Sequence, residues 1–222
     1  MGNSIQFTVV HRQEQTVLEE IFNSVTCGIG FCLSVAALVI LIVSASRGGD
    51  AWRIVSVSIY GASLVLLFLF STLYHSIPSK KAKHVFEILD HCTIYVLIAG
   101  TYTPFALVRL HGPGGWSLFG AVWGLAVLGI VFKAIFISRF PVFSAVVYLL
   151  MGWLVVIAFR PLLQHLAAAG IGWLLAGGVI YSAGLLFYAW RTLPFRHTVW
   201  HVFVLVGCGC HFVAVLKYVL PV

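Results

Sequence analysis

The chain has 222 residues, of which 61% are hydrophobic and 9% are charged, and its formal net charge is +7. A soluble domain of this length could not cover so much apolar surface with polar groups, so this composition excludes a soluble enzyme or binding module. We interpret the positive charge as membrane topology and contact with anionic lipid head groups, and we expect no nucleic acid as a partner.

Seven apolar stretches are each long enough to cross about 30 Å of hydrocarbon, because a helix rises about 1.5 Å per residue. They run roughly over residues 21–44, 54–76, 85–110, 116–136, 142–159, 172–190 and 197–220. Proline, glycine and charged residues separate them, for example at Pro78 and at Arg160-Pro161. We therefore predict an all-α membrane protein, a seven-transmembrane helix bundle. Residues 1–20 are predicted to form a short cytoplasmic N-terminal segment, and residues 21–222 a single domain.

The positive charges are unequally distributed between the two sides of this bundle. The N-terminal segment and the second, fourth and sixth loops carry eight of the thirteen Lys and Arg residues. These eight are Arg12, Lys80, Lys81, Lys83, Lys133, Arg139, Arg191 and Arg196. Cytoplasmic loops are enriched in Lys and Arg, so the N-terminus is predicted to lie in the cytoplasm. The end of the second span and the starts of the third and seventh then lie at the cytoplasmic face.

Histidine and aspartate side chains recur at that face. His75 ends the second span, Asp90 follows the start of the third, and His197 and His201 open the seventh. The i, i+4 spacing places the last two imidazoles on one helix face, as two ligands of one tetrahedral metal require. Together with His75 they predict a Zn2+ site with an open fourth position, the pattern of a catalytic zinc. The alternative is three interior histidines that hydrogen-bond to one another or to the backbone.

Four segments resemble a known family of membrane proteins. They are "EEIFNSVTCGIG" (19–30), "STLYHS" (71–76), "LDHCTIYVLIAGTYTPF" (89–105) and "HTVWHVF" (197–203). The chain resembles the hemolysin III type, the bacterial-type members of the progestin and adiponectin receptor superfamily. The resemblance implies seven helices in the bacterial inner (plasma) membrane. It also implies His75, His197 and His201 as zinc ligands, with Asp90 and Ser71 beside the water that the metal holds.

The first motif departs from the family pattern. That pattern reads Glu-x-x-Asn-x-x-x-His, and Glu20 and Asn23 match it, but Cys27 stands where the histidine is expected. The three implied ligands are untouched by this change. Cys27 either joins the zinc as a thiolate or is an inert buried thiol.

Several of these residues also have purely structural interpretations. Asp90 could serve as a helix cap or as a first-turn carboxylate favoured by the helix dipole. Ser71 could hydrogen-bond to the backbone of its own helix, and Glu20 with Asn23 could cap the first helix. His91 is expected near a loop and solvated. His211 stands about 15 Å of helix rise from His201, too deep to join the site.

The predicted site favours hydrolysis of a membrane lipid. Zinc with three histidines lowers the pKa of a bound water towards about 7 and polarises a carbonyl group, and Asp90 could take the proton of that water. Ceramide-like hydrolysis has been proposed for members of the resembled superfamily, so we predict a zinc-dependent lipid amide hydrolase or a regulator of membrane lipid composition. The alternatives are a membrane-lytic or pore-associated hemolysin and a receptor-like protein with a structural zinc.

Overall fold

The computed structural model describes residues 15–137 and 141–221. Within these residues the structure contains helices and no strand, which confirms the all-α prediction. The helices are α1 (Val17–Ser46), α2 (Ala51–Ser76), α3 (Lys80–Pro104), α4 (Pro113–Ile135), α5 (Pro141–Gly152), α6 (Phe159–His165), α7 (Ala168–Ala189) and α8 (Arg196–Ala214). Residues 1–14 of the predicted N-terminal segment, including Arg12, lie outside the described residues, as does Arg139.

Six helices are long and apolar enough to cross a membrane by themselves. They are α1, α2, α4, α7, and α3 and α8 with the π-helical turns that continue them. The fifth predicted span is not one straight helix: α5 with its following 3-10 turn and α6 are long and apolar enough to cross only when taken together, and they meet at a bend of 51°. The seven-span prediction therefore holds when this pair counts as one span. The loop predicted at Arg160-Pro161 is wrong, because both residues lie in the first turn of α6, where the missing N–H of proline costs no hydrogen bond.

The hydroxyl group of Tyr102 pairs with the backbone where α5 passes into the 3-10 turn that follows it. It donates to the carbonyl oxygen of Gly152 at 2.7 Å and accepts a 2.7 Å hydrogen bond from the backbone N–H of Val155. A change of helix type inside the hydrocarbon leaves backbone groups that water cannot satisfy, so a protein side chain must pair with them. Tyr102 of α3 meets this requirement and joins the third span to the fifth.

The side chains are arranged as expected for a protein surrounded by lipid. On α1, Val25, Ile29 and Leu33 are each more than half exposed, whereas Asn23 and Ser34 are buried. Polar side chains inside a membrane are stable when they face the bundle and find partners there. The surface is therefore apolar and the polar groups converge in the interior.

Two helices begin earlier than the hydropathy pattern predicts. α1 starts at Val17, four residues before the predicted span, with Thr16 and Glu19 forming a capping box. α3 starts at Lys80 with Ser79 as its N-cap. Asp90 consequently lies about 15 Å inside α3, so its interpretation as a cap or first-turn carboxylate is wrong.

Contacts with α1 fix the first turn of α8. The residue before this helix, Phe195, has a φ of 54°, a left-handed conformation that is unusual for a bulky side chain. Its ring packs edge-on against Phe22 of α1, with 5.4 Å between ring centroids. The hydroxyl of Thr198 donates a 2.6 Å hydrogen bond to Oδ1 of Asn23. These contacts position the turns that carry His197 and His201.

Candidate metal centre

Three histidines from two helices meet at one end of the bundle. One nitrogen atom from each of His75, His197 and His201 lies within 4.8 Å of the others. Ring centroids are 5.0 Å apart for His75 and His197, 5.1 Å for His75 and His201, and 4.5 Å for His197 and His201. These are the three histidines that the sequence predicts as zinc ligands, and the structure brings them together.

Two of these imidazoles carry a buried nitrogen that lacks a partner. The Nε2 atoms of His75 and His197 are buried and form no hydrogen bond with the described residues. Leaving such atoms unpaired is costly, more so in a membrane interior. Zinc binds imidazole nitrogen at about 2.0–2.1 Å, so the observed separation is close to that which a shared ion requires. The unpaired atoms and the chemistry of three imidazoles both fit a zinc ion.

Glu20 holds the first of these histidines. Its Oε2 atom lies 2.6 Å from Nδ1 of His75, and its Oε1 atom accepts a 2.7 Å hydrogen bond from the ammonium group of Lys83. A carboxylate on the second nitrogen of a ligating histidine fixes the ring and raises its basicity. Glu20 therefore contacts the site directly, beyond the capping role that the sequence left open.

Cys27 contacts the third histidine. Its Sγ atom lies 3.2 Å from Nδ1 of His201 and 3.2 Å from Oγ of Ser71. The side chain is 1% exposed. The family pattern places a histidine at this position, so the substituted residue lies inside the site and not at its edge.

Ser71 and Asp90 lie side by side next to the histidines. Both are buried. Oγ of Ser71 accepts a hydrogen bond from the thiol of Cys27, and Oδ2 of Asp90 is 3.6 Å from Nδ1 of His91. The structure thus brings Ser71 and Asp90 into the wall of one cavity with His197 and His201.

A cavity of about 210 Å³ reaches this cluster from the bundle interior. Two of the histidines, His197 and His201, lie in its wall, together with Asp90, Ser71 and Cys27. The rest of the wall is mainly apolar and includes Leu67, Ile94, Ile98, Leu174 and Leu185. The cavity thus combines the polar groups beside the histidines with a mainly apolar wall, which is the usual composition of a small-molecule site.

Sequence reasoning missed two further residues of the cavity wall. Lys133, predicted as a loop charge, lies in the last turn of α4, is 2% exposed and is 3.4 Å from Oγ of Ser144. His91, predicted to be solvated, lies within α3 and its Nδ1 is 2.8 Å from the carbonyl oxygen of Glu87. Hydropathy carried no signal for either, because both stand near the end of an apolar run. His211 also lines the cavity, away from the three-histidine cluster as predicted.

Fold and site together define an integral membrane helix bundle with an intramembrane cluster of three histidines able to hold a metal ion. Residues 15–212 match the model of the haemolysin-III related family. The chain is 51% identical over 210 residues to "Hemolysin-3" of Bacillus cereus, covering 95% of this chain and 96% of that protein. It is 53% identical over 207 residues to "Hemolysin-3 homolog" of Bacillus subtilis (strain 168), covering 93% and 97%. The human "Monocyte to macrophage differentiation factor" is 31% identical over 178 residues, covering 76% and 72%. The chain belongs to the haemolysin-III related family.

Proposed function

We propose that this protein is a zinc-dependent hydrolase of lipid amides that works from within the bacterial inner membrane. One observation carries the proposal: a cluster of three histidines lies next to a mainly apolar cavity, and two of the histidines line that cavity together with a buried carboxylate and a buried hydroxyl. His75, His197 and His201 would hold the zinc. Three histidine ligands with an open fourth position are typical of catalytic zinc sites.

The reaction requires a nucleophilic water and a group that takes its proton. Zinc at such a site lowers the pKa of a bound water towards about 7 and polarises a carbonyl group. Asp90 accepts a proton from the water molecule while the oxygen of that water forms a bond to the amide carbon. Asp90 then gives the proton to the leaving nitrogen as the carbon–nitrogen bond breaks, so the products are a carboxylic acid and an amine. Ser71, which lies in the same cavity wall, orients Asp90 by donating a hydrogen bond to its carboxylate.

The cavity indicates the kind of substrate. Its wall is mainly apolar beyond the polar cluster, so it suits an acyl chain whose amide group lies at the histidines. Such a molecule is already dissolved in the bilayer and buries its chain in the protein without exposure to water. A ceramide-like lipid has these properties, and membrane lipid is therefore the proposed substrate.

Two other functions use the same fold. The names of the two Bacillus relatives, "Hemolysin-3" and "Hemolysin-3 homolog", favour a membrane-lytic activity as the second candidate. A receptor-like protein, in which zinc only stabilises the bundle, would also need the three histidines but would turn over no lipid. The experiment must separate turnover from both lysis and stability.

Asp90→Asn tests the proposal on purified protein reconstituted in lipid. The matched control is Asp50→Asn at the start of α2, where asparagine can cap the helix as aspartate does. We expect Asp90→Asn to retain zinc but to hydrolyse a ceramide about 10²–10⁴ times more slowly, and the control to remain active. Equal activity of Asp90→Asn and wild type, or of metal-free and zinc-loaded protein, would contradict the hydrolase. Dye release from liposomes that is independent of Asp90 would instead support lysis.

A further inference from the structure

The surroundings of His201 differ from those of His75. Nδ1 of His75 faces a carboxylate, whereas Nδ1 of His201 lies 3.2 Å from the sulfur of Cys27. The same sulfur is 3.2 Å from Oγ of Ser71, and Asp90 lies in the same cavity wall as Ser71 and Cys27. Four side chains, from α8, α1, α2 and α3 in turn, therefore form one continuous row.

The chemistry of the four groups gives this row a direction. The thiol of Cys27 donates to the hydroxyl oxygen of Ser71. Its single proton is used in that bond, so its sulfur can only accept from Nδ1–H of His201. The hydroxyl proton of Ser71 is left to donate to Asp90. Nε2 of His201 is left without a proton, which is the form of imidazole that binds a metal.

We propose that Cys27 is a positioning residue that links His201 to Ser71 and Asp90 by hydrogen bonds. The proposal rests on the zinc site proposed above. Cys27 sets the tautomer and ring orientation of one ligand, and it also holds the hydroxyl that orients Asp90. It is not a fourth ligand, because a metal-bound cysteine is a thiolate, whereas Cys27 keeps its proton in the hydrogen bond to Ser71. A thiol is a weaker acceptor than a carboxylate, so its removal costs less affinity than removal of Glu20.

Zinc affinity of Cys27 variants gives the first test, measured by competition with a chelator. Loss of an outer partner of a ligand costs about 10–100-fold in metal affinity, and for a thiol we expect Cys27→Ala to weaken binding about tenfold. Cys27→Ser keeps both a donor and an acceptor and should recover most of that loss. The matched control is Cys210→Ala, which removes a buried thiol on a different helix, α8. This variant should bind zinc as wild type does.

The outcomes separate this proposal from the zinc site itself. If Cys27→Ala binds zinc as tightly as wild type, the link through Cys27 is overturned while the three-histidine site stands. If wild type binds no zinc, the site fails and the link fails with it.

A cobalt(II) spectrum of the wild-type protein distinguishes a positioning residue from a ligand and needs no variant to fold. Thiolate bound to cobalt(II) absorbs strongly in the near ultraviolet by charge transfer. We expect the cobalt-loaded wild type to lack this absorption. Its presence would show that a thiolate binds the metal; Cys27 contacts His201, so this result would overturn the proposal.

A double-mutant cycle with Ser71→Ala tests whether the row is continuous. If the two residues act on the metal through the same row, the double variant should bind zinc only slightly less tightly than the single variant that has the lower zinc affinity. Fully additive losses would show that the two residues act independently, which contradicts the proposed row.

Discussion

Oε2 of Glu20 lies 2.6 Å from Nδ1 of His75, although the two residues are 55 positions apart in the sequence. The other carboxylate oxygen of Glu20 accepts a hydrogen bond from Lys83. The contact joins the first turn of α1 to the last turn of α2 and to the first turn of α3. It leaves Nε2 of His75 directed towards the other two histidines as the nitrogen available to a metal.

Replacement of Glu20 should therefore weaken metal binding. In Glu20→Gln the amide oxygen can still accept a hydrogen bond, but it lacks the negative charge that raises imidazole basicity and attracts Lys83. We expect zinc affinity, measured by chelator competition, to fall about 10–100-fold. The matched control is Glu19→Gln, because Glu19 forms the capping box with Thr16 and glutamine preserves that motif. Similar losses in both variants would show that the effect comes from the helix terminus.

Removal of two ligands should abolish zinc binding. We expect the purified wild type to contain about one zinc per chain and the double variant His197→Ala with His201→Ala to contain none. Zinc should also raise the melting temperature of the wild type, because a ligand that binds only the folded state stabilises it, and it should leave the double variant unchanged. His211→Ala is the control, since His211 is a buried histidine of the same helix outside the cluster. Wild-type zinc content in the double variant would disprove the site.

The predicted orientation can be tested with single cysteines in a variant that lacks the native ones. Lys81→Cys, in the first turn of α3, should react with a membrane-impermeant maleimide only after cells are permeabilised, because positive charge favours the cytoplasmic side. Gly114→Cys, in the first turn of α4 at the opposite end of the bundle, should react in intact cells. The reverse labelling pattern would show that the bundle has the opposite orientation, with the three-histidine cluster towards the outer face.

Much of the fold and of the candidate site could be predicted from local sequence. Apolar runs located six unbroken spans, and the i, i+4 spacing of His197 and His201 identified two of the three clustered histidines. The change from α-helix to 3-10 turn after Gly152 could not be predicted, because the backbone there pairs with the hydroxyl of Tyr102, about fifty residues earlier in the chain. The position of Asp90 within its helix was also predicted wrongly. Hydropathy locates only the part of a helix that lies in hydrocarbon, whereas α3 extends beyond that part and begins at Lys80.

Glycines of α4 show the same limit of local patterns and give a stability prediction. A Cβ atom at Gly129 would lie 2.3 Å from Cε1 of Tyr95 on α3, whereas at Gly124 it would meet nothing within 4 Å. Gly129→Ala forces the two helices apart, and overpacking of this kind costs about 1–3 kcal/mol. Gly124→Ala on the same helix should cost no stability. Thermal unfolding in detergent measures both, and equal melting temperatures would contradict the close contact between α3 and α4.

The cavity itself can be filled without changing the metal centre. Gly178 of α7 lies in the cavity wall, and a Cβ atom there would make only ordinary contacts, the nearest at 3.7 Å from Cζ2 of Trp153. Gly178→Ala should therefore be tolerated, whereas the longer side chain of Gly178→Leu should occupy space that an acyl chain needs. We expect both variants to bind zinc as wild type does. The alanine variant should retain lipid turnover, whereas the leucine variant should turn over lipid at least ten times more slowly. A tenfold loss corresponds to about 1.4 kcal/mol of lost transition-state binding. Unchanged turnover in Gly178→Leu would show that the substrate does not pass this part of the cavity. A lytic or purely structural role predicts no difference between these two variants, so the pair also tests the hydrolase independently of Asp90.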